Sequence, residues 1–198
     1  MTSARYSDLQ LDALRELANV GSGTAGTALS SLLGRAVDIS VPTAAALDLA
    51  DAVDAAGAAE DVVWAVVVGV AGDLEATALL VFSEADAEAV GALLGVEPDS
   101  EQGRSALEEI GNILVASYVG ALGSMTGFVL DLRPPASARD MLAAVVATVI
   151  AARSDGRDVA IMLDSELKVE HEAIALSFML LPTPEGVAEL LQRIGLGD

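Results

Sequence analysis

The fold is decided by the stretch DALRELANVGSGTAGTALSSLLG at residues 12–34, because it recurs in altered form as SALEEIGNILVASYVGALGSMTG at residues 105–127. In both copies apolar residues return every three or four positions, which is typical of an amphipathic helix. Both copies end on a glycine, Gly34 and Gly127, where a helix stop is expected. The sequence therefore predicts two long helices, over 7–33 and 104–126, in equivalent places of two halves.

The repeat continues beyond these helices. An offset of 93 residues relates Pro42 to Pro135, and an offset of 100 residues relates Ser83 to Thr183 near the end of each half. Each half, 8–96 and 103–196, is therefore expected to form a helix, a strand, a hairpin and a helix. The predicted fold class is α+β, a single domain with an internal pseudo-two-fold repeat and long helices packed on a mainly antiparallel sheet.

Local patterns predict the remaining elements. A strand over 37–41 should end at Pro42, and the Ala- and Asp-rich segment 44–59 is either a helix or a loop with helical turns. Ser83 and Gly95 should begin and end a helix. Further strands are predicted over 62–70, 76–82, 129–132, 159–163 and 174–181, a helix or apolar strand over 141–152, and helices over 84–94 and 185–194.

The composition excludes several classes of function. The chain has 198 residues, no Cys, one His, and 30 acidic against 10 basic residues, a net charge of -20. Disulfides, zinc–thiolate sites and Cys nucleophiles are therefore excluded, and the negative field disfavours nucleic acid. No apolar run reaches the roughly 20 residues that span a bilayer, so we expect no membrane partner and a cytoplasmic location. A single Lys on an acidic surface favours a halophilic source, with an acidic mesophilic protein as the alternative.

One polar motif occurs in both halves. It consists of Asp12, Glu16, Asn19 and Pro42 in the first half, and of Ser105, Glu109, Asn112 and Pro135 in the second. Spacings of three and four residues place the members before the proline on one helical face. A single exposed Glu–Asn pair is usually only solvated, but these are the two Asn residues of the whole chain, and the residues around them differ between the copies. The pattern therefore favours a functional pair in each half.

These residues resemble the motif of the CheC/CheX/FliY family, the phosphatases of the chemotaxis response regulator CheY. The family motif is Asp or Ser, Glu four residues on, Asn three further, and Pro 23 beyond, and both halves satisfy it. The resemblance covers roughly residues 8–196. Two intact motifs resemble CheC rather than single-site CheX, and FliY-type proteins carry a further domain. A halophilic archaeon is the expected source.

The resemblance implies hydrolysis of the aspartyl phosphate of a CheY-like regulator. Asn19 and Asn112 would position the attacking water, for which an amide offers both a donor and an acceptor. Glu16 and Glu109 would dock on a Lys of the regulator. Asp12 and Ser105 would support the Glu, contact the partner or face solvent, whereas the two prolines are expected to be structural.

The resemblance also implies partners. No metal or cofactor is expected on this chain, and Mg²⁺ is expected in the acidic pocket of the regulator. The receptor deamidase CheD is a second candidate partner, and a monomer is expected. Two other functions stay open: a non-catalytic binding or adaptor module for the phosphorylated regulator or CheD, and a structural dimerisation domain. His171 lies in a charged turn without a Ser or Cys partner, which indicates a solvated residue.

Overall fold

The structure, a computed structural model, describes residues 8–151, 159–170 and 172–193. In these residues six helices pack on a seven-stranded antiparallel sheet. The helices are α1 (Asp8–Leu33), α2 (Leu49–Ala56), α3 (Glu84–Leu94), α4 (Glu101–Thr126), α5 (Leu142–Ala151) and α6 (Pro184–Arg193). The strands are β1 (Val37–Asp48), β2 (Val62–Gly72), β3 (Ala76–Ser83), β4 (Leu130–Leu132), β5 (Ala136–Met141), β6 (Val159–Val169) and β7 (Glu172–Pro182). The predicted α+β class, with long helices on an antiparallel sheet, is confirmed.

The strand order is symmetric. It runs β1-β6-β7-β3-β2-β4, and β5 also pairs with β2. The two hairpins, β2–β3 and β6–β7, meet through the antiparallel pair β3–β7 in the middle of the sheet. Each hairpin is flanked by the first strand of the other half, because β1 pairs with β6 whereas β4 and β5 pair with β2. The order therefore reads alike from both edges, as the pseudo-two-fold repeat predicts.

Two cores lie on opposite faces of the sheet. Alternate residues of a strand point to opposite faces, so Trp64 and Val66 of β2 join the core under α1, α3, α4 and α6. Their neighbours Val63 and Ala65 join the second core, which α2 and α5 cover. The two long helices thus share one face of the sheet, and their outer sides face solvent.

The helix ends follow the predicted caps. The Ser83 hydroxyl accepts a hydrogen bond from the Asp86 N–H at 3.1 Å, and the Thr183 hydroxyl accepts one from the Gly186 N–H at 3.1 Å. Gly95 and Gly127 end α3 and α4 with φ of 69° and 77°, the left-handed conformation that glycine adopts without a steric cost. The matching caps of α3 and α6 confirm the second offset of the repeat.

Two predictions on the first half are wrong. The strand does not end at Pro42, because β1 continues to Asp48, with a shift in its register between Ser40 and Thr43. β1 is an edge strand, and a bulge on an edge strand accommodates a residue without an N–H. Segment 44–59 is neither a helix nor a loop throughout, since it first extends β1 and then forms α2.

The open alternative for 141–152 resolves as a helix, because α5 covers Leu142–Ala151. Its apolar side packs in the second core, where Leu142 and Val146 are buried. The predicted turn at His171 and the last residue of the helix predicted over 185–194 lie outside the described residues.

Tyr118 fixes α4 over the sheet. It is 2% exposed, its ring centroid lies 4.9 Å from that of Phe178, and its hydroxyl lies 3.2 Å from the hydroxyl of buried Ser165. Burial raises the pKa of Tyr118 above its ordinary value of 10.0. The neutral phenol is therefore the form that fits the core, and the stability it contributes is lost as pH rises above about 10, where the unfolded chain ionises.

Tyr118→Phe is expected to lower the free energy of unfolding by about 1 kcal/mol, because Ser165 then loses its buried partner. Ser165→Ala should cost a similar amount. The double variant should cost clearly less than the two together, because it leaves no unpaired hydroxyl. Urea denaturation of the three variants checks this, and additive effects would contradict a coupled pair.

Candidate functional site

The site is built on the close contact of α1 with α4. A Cβ added at Gly21 would lie 2.3 Å from Cδ1 and 3.0 Å from Cα of Tyr118, so the two helices approach each other as only glycine permits. Leu17 and Leu122 line one small apolar cavity with Tyr118, whereas Leu32 lines a groove with residues near the start of α4. Residues with increasing numbers along α1 therefore face residues with decreasing numbers along α4. The two helices run antiparallel.

The first polar group stands on the outer side of α1. Leu17 and Ala18 are buried against the sheet, and the helical turn of 100° per residue carries Glu16 and Asn19 to the solvent side, where both are exposed. The buried Ser22 hydroxyl donates to the backbone carbonyl of Asn19 at 3.0 Å, so this hydrogen bond does not involve the side-chain amide of Asn19. Glu16 and Asn19 are therefore one turn apart and both accessible to a partner.

Asp12 has a partner within its own helix. Its carboxylate lies 2.7 Å from the Arg15 guanidinium, and both side chains are more than half exposed. Such an exposed pair contributes little stability. Of the three predicted roles of Asp12, this pair fits a solvated side chain that flanks Glu16.

The second polar group repeats the arrangement on α4. Leu107 and Ile110 are buried, Ser105 and Glu109 are exposed, and Asn112 is half-buried. At Gly111 an added Cβ would lie 2.7 Å from a methyl group of Val66, so this turn of α4 lies directly on β2. On this turn Asn112 is half-buried, whereas Asn19 is exposed.

The structure does not bring the two polar groups together. In the antiparallel pair, the contact of position 21 with position 118 places Asn112 level with position 27 of α1. Eight residues then separate Asn19 and Asn112 along the axis, about 12 Å at 1.5 Å per residue. The chain therefore presents two separate sites that the pseudo-two-fold relates.

The two prolines lie outside the helices that carry the polar groups. Pro42 lies at the register shift of β1, and Pro135 follows β4 and precedes β5. Both thus sit where a strand at the side of the sheet is interrupted, which fits the structural role expected of them.

Sequence reasoning missed one contact of the second site. The Glu108 carboxylate accepts hydrogen bonds from the Ser137 N–H at 3.0 Å and the Ser137 hydroxyl at 2.6 Å, which ties α4 to β5. The first half has Arg15 and Ala44 in the equivalent places, so the repeat gives no signal for this tie. The two sites therefore stand on different supports.

Two further features bear on the chemistry. Within residues 8–151, 159–170 and 172–193, no group of three or more His, Cys, Asp or Glu side chains is placed to hold a metal ion. None of the helices in the part of the chain that the structure describes is both long and apolar enough to cross a membrane.

Comparisons with known proteins match both halves. The CheC-like family model matches residues 9–45 and 103–138, which contain all members of both polar motifs. The chain is 29% identical over 198 residues to the CheY-P phosphatase CheC of Bacillus subtilis (strain 168), and the alignment covers 94% of each chain. The family resemblance that the sequence indicates is thus confirmed.

Solved structures share the fold. The chain superposes on the crystal structure of Thermotoga maritima FliY with a TM-score of 0.76 at 18% identity, covering 98% of this chain and 100% of that one. It superposes on the FliM middle domain from H. pylori with a TM-score of 0.70 at 14% identity, covering 95% and 99%. At these identities the likeness concerns the fold alone.

Proposed function

Because this chain is related to the CheC-like family through both of its repeated segments, we propose that it is a phosphatase of the aspartyl phosphate on a CheY-like response regulator. The observation that carries the proposal is the doubled Glu–Asn pair, present on the solvent side of both long helices. The relative from Bacillus subtilis, which bears the name of a CheY-P phosphatase, supports it.

The reaction requires a water molecule placed in line with the phosphorus–oxygen bond that breaks. Asn19 or Asn112 would enter the regulator's site, where the amide oxygen accepts a hydrogen bond from that water and the amide NH₂ donates one. The water oxygen bonds to phosphorus, the bond to the aspartate oxygen breaks, and free carboxylate and inorganic phosphate result. Catalysis of this kind rests on positioning, which a neutral side chain performs without repelling the phosphoryl oxygens.

The acidic residues would orient the partner. Glu16 and Glu109 project one turn before their Asn, so a cation beside the phosphorylated aspartate could pair with the Glu while the Asn reaches the water. In this proposal Mg²⁺ stays on the regulator's carboxylates, CheD is a second partner, and the chain acts as a cytoplasmic monomer. Asp12 and Ser105 flank the contact.

The test is the decay of a phosphorylated CheY-like regulator in Mg²⁺, alone and with this protein, at low and high salt. We expect the protein to accelerate decay at a substoichiometric concentration. Binding of the phosphorylated regulator without acceleration would instead support the adaptor function. The absence of both binding and acceleration would contradict the proposal.

The docking role predicts a defined kinetic effect of Glu109→Gln in an Asn19→Ala background, where only the second site is intact. We expect KM to rise about 1.4- to fivefold, because an exposed ion pair contributes about 0.2–1 kcal/mol, with kcat nearly unchanged. The variant should also lose part of the salt dependence of KM. Glu88→Gln, an exposed glutamate of α3, is the matched control. A fall in kcat with unchanged KM would contradict the docking role.

A further inference from the structure

Two large apolar side chains stand exposed at equivalent positions of the long helices. Leu32 is 43% exposed near the end of α1, and Met125 is 38% exposed near the end of α4. Each lies two residues before the glycine that ends the repeated stretch, Gly34 or Gly127. A single exposed apolar residue is ordinary on a protein surface. Two such residues at positions related by the repeat indicate a common role.

Leu32 lies beside the polar group of the other helix. It lines an open groove together with Ser105 and Glu109 of α4 and with Leu94 at the end of α3. The groove therefore joins an apolar wall from the first half to the motif residues of the second half. A partner that contacts Glu109 from solvent also reaches Leu32.

The antiparallel register places Met125 in the corresponding position. The contact of position 21 with position 118 puts Leu32 level with position 107, midway between Ser105 and Glu109. The same register puts Met125 level with position 14, midway between Asp12 and Glu16. Leu32 thus lines a groove with the second polar group, and Met125 stands at the corresponding axial level of the first.

We propose that Leu32 and Met125 are docking residues that work across the helix pair, Leu32 for the site of Asn112 and Met125 for the site of Asn19. This inference rests on the proposed function, and the occupant is the phosphorylated regulator. Its contact surface would present an apolar patch next to the cation that pairs with the Glu. Salt screens the Glu–cation pair, whereas apolar contact is not screened, so this contact maintains docking when the ionic strength is high.

The experiment uses single-site proteins that differ in which Asn remains. In the Asn19→Ala background, where the second site acts, Leu32→Gln is expected to raise KM about fivefold, with kcat changed less than twofold. In the Asn112→Ala background Leu32→Gln should have no effect. Met125→Gln should show the reverse pattern. Gln is a good helix former, so the substitution alters the contact and not the helix.

Controls separate docking from folding. Met141→Gln changes an exposed methionine, 48% exposed, at the end of β5 next to the opposite layer, and should leave both backgrounds unchanged. Thermal denaturation identifies a variant that acts through instability. Equal effects in both backgrounds, or effects only on the residue's own helix, would overturn the inference while the proposed function stands. Absence of acceleration by the unsubstituted protein would overturn both.

Discussion

Replacing both Asn19 and Asn112 by Ala is expected to reduce the acceleration of regulator dephosphorylation at least about 100-fold, close to the spontaneous rate. Loss of one preorganised hydrogen-bonding group in a reacting site typically costs about 10²–10³ in kcat. In this proposal each Asn is the group that holds the attacking water in its own site. A single substitution should therefore leave the other site active, and the two single variants rank the sites.

The fold should tolerate the double substitution. Asn19 is exposed and Asn112 is half-buried, and Ala is the better helix former. The free energy of unfolding should therefore fall by less than about 0.5 kcal/mol. Gln192→Ala removes an exposed amide from α6 and should leave the rate unchanged. A double variant that keeps more than a tenth of the wild-type acceleration would contradict the assignment of the two Asn residues.

Gly21→Ala is expected to destabilise the protein by about 1–2 kcal/mol. The added methyl would meet both the ring and the backbone of Tyr118, and an overpacked contact costs about 1–3 kcal/mol. Ala in a helix otherwise gains about 1 kcal/mol over Gly. The clash therefore has to exceed the gain in helix propensity.

Gly23→Ala is the matched comparison. It lies two residues further along the same helix, and nothing stands within 4 Å of its added Cβ, so we expect stabilisation by up to about 1 kcal/mol. Urea denaturation of both variants measures the contrast, and Gly21→Ala should also weaken activity at both sites because it spreads the helices that carry them. A Gly21→Ala protein as stable as Gly23→Ala would contradict the close helix contact.

The glycines of α1 illustrate what sequence reasoning reaches. Gly21, Gly23 and Gly26 lie in the interior of this helix, where glycine lowers helix propensity, and that cost predicts a close packing contact at each of them. The expectation is right for Gly21 against Tyr118 and for Gly26, whose added Cβ would lie 3.2 Å from the Val37 carbonyl, and it is wrong for Gly23. A glycine in a helix indicates that space is limited nearby. At which turn of the helix the close contact occurs is known only from the tertiary structure.

Short-range sequence patterns predict most of the helices and strands of the fold. Helix periodicity, the Ser83 cap and the glycines that end α3 and α4 act over a few residues and are legible in sequence. The failure at Pro42 has a tertiary cause, because only the strand order reveals that β1 is an edge on which a bulge can absorb the proline.

The candidate site divides in the same way. Spacing along one helix places Glu16 with Asn19 and Glu109 with Asn112 on outer faces, as the structure shows. The neighbours from elsewhere in the chain, Leu32 beside Glu109, depend on how the two helices are paired. No local sequence pattern encodes how the two helices pair, so the sequence does not predict that Leu32 lies beside Glu109.

The most direct test of the central claim is release of phosphate from the phosphorylated regulator in water enriched in ¹⁸O, with and without this protein. The account predicts accelerated release, with one ¹⁸O from water in the phosphate, because the positioned water attacks phosphorus. Release at the spontaneous rate, or ¹⁸O found in the regulator's aspartate instead of the phosphate, would contradict it.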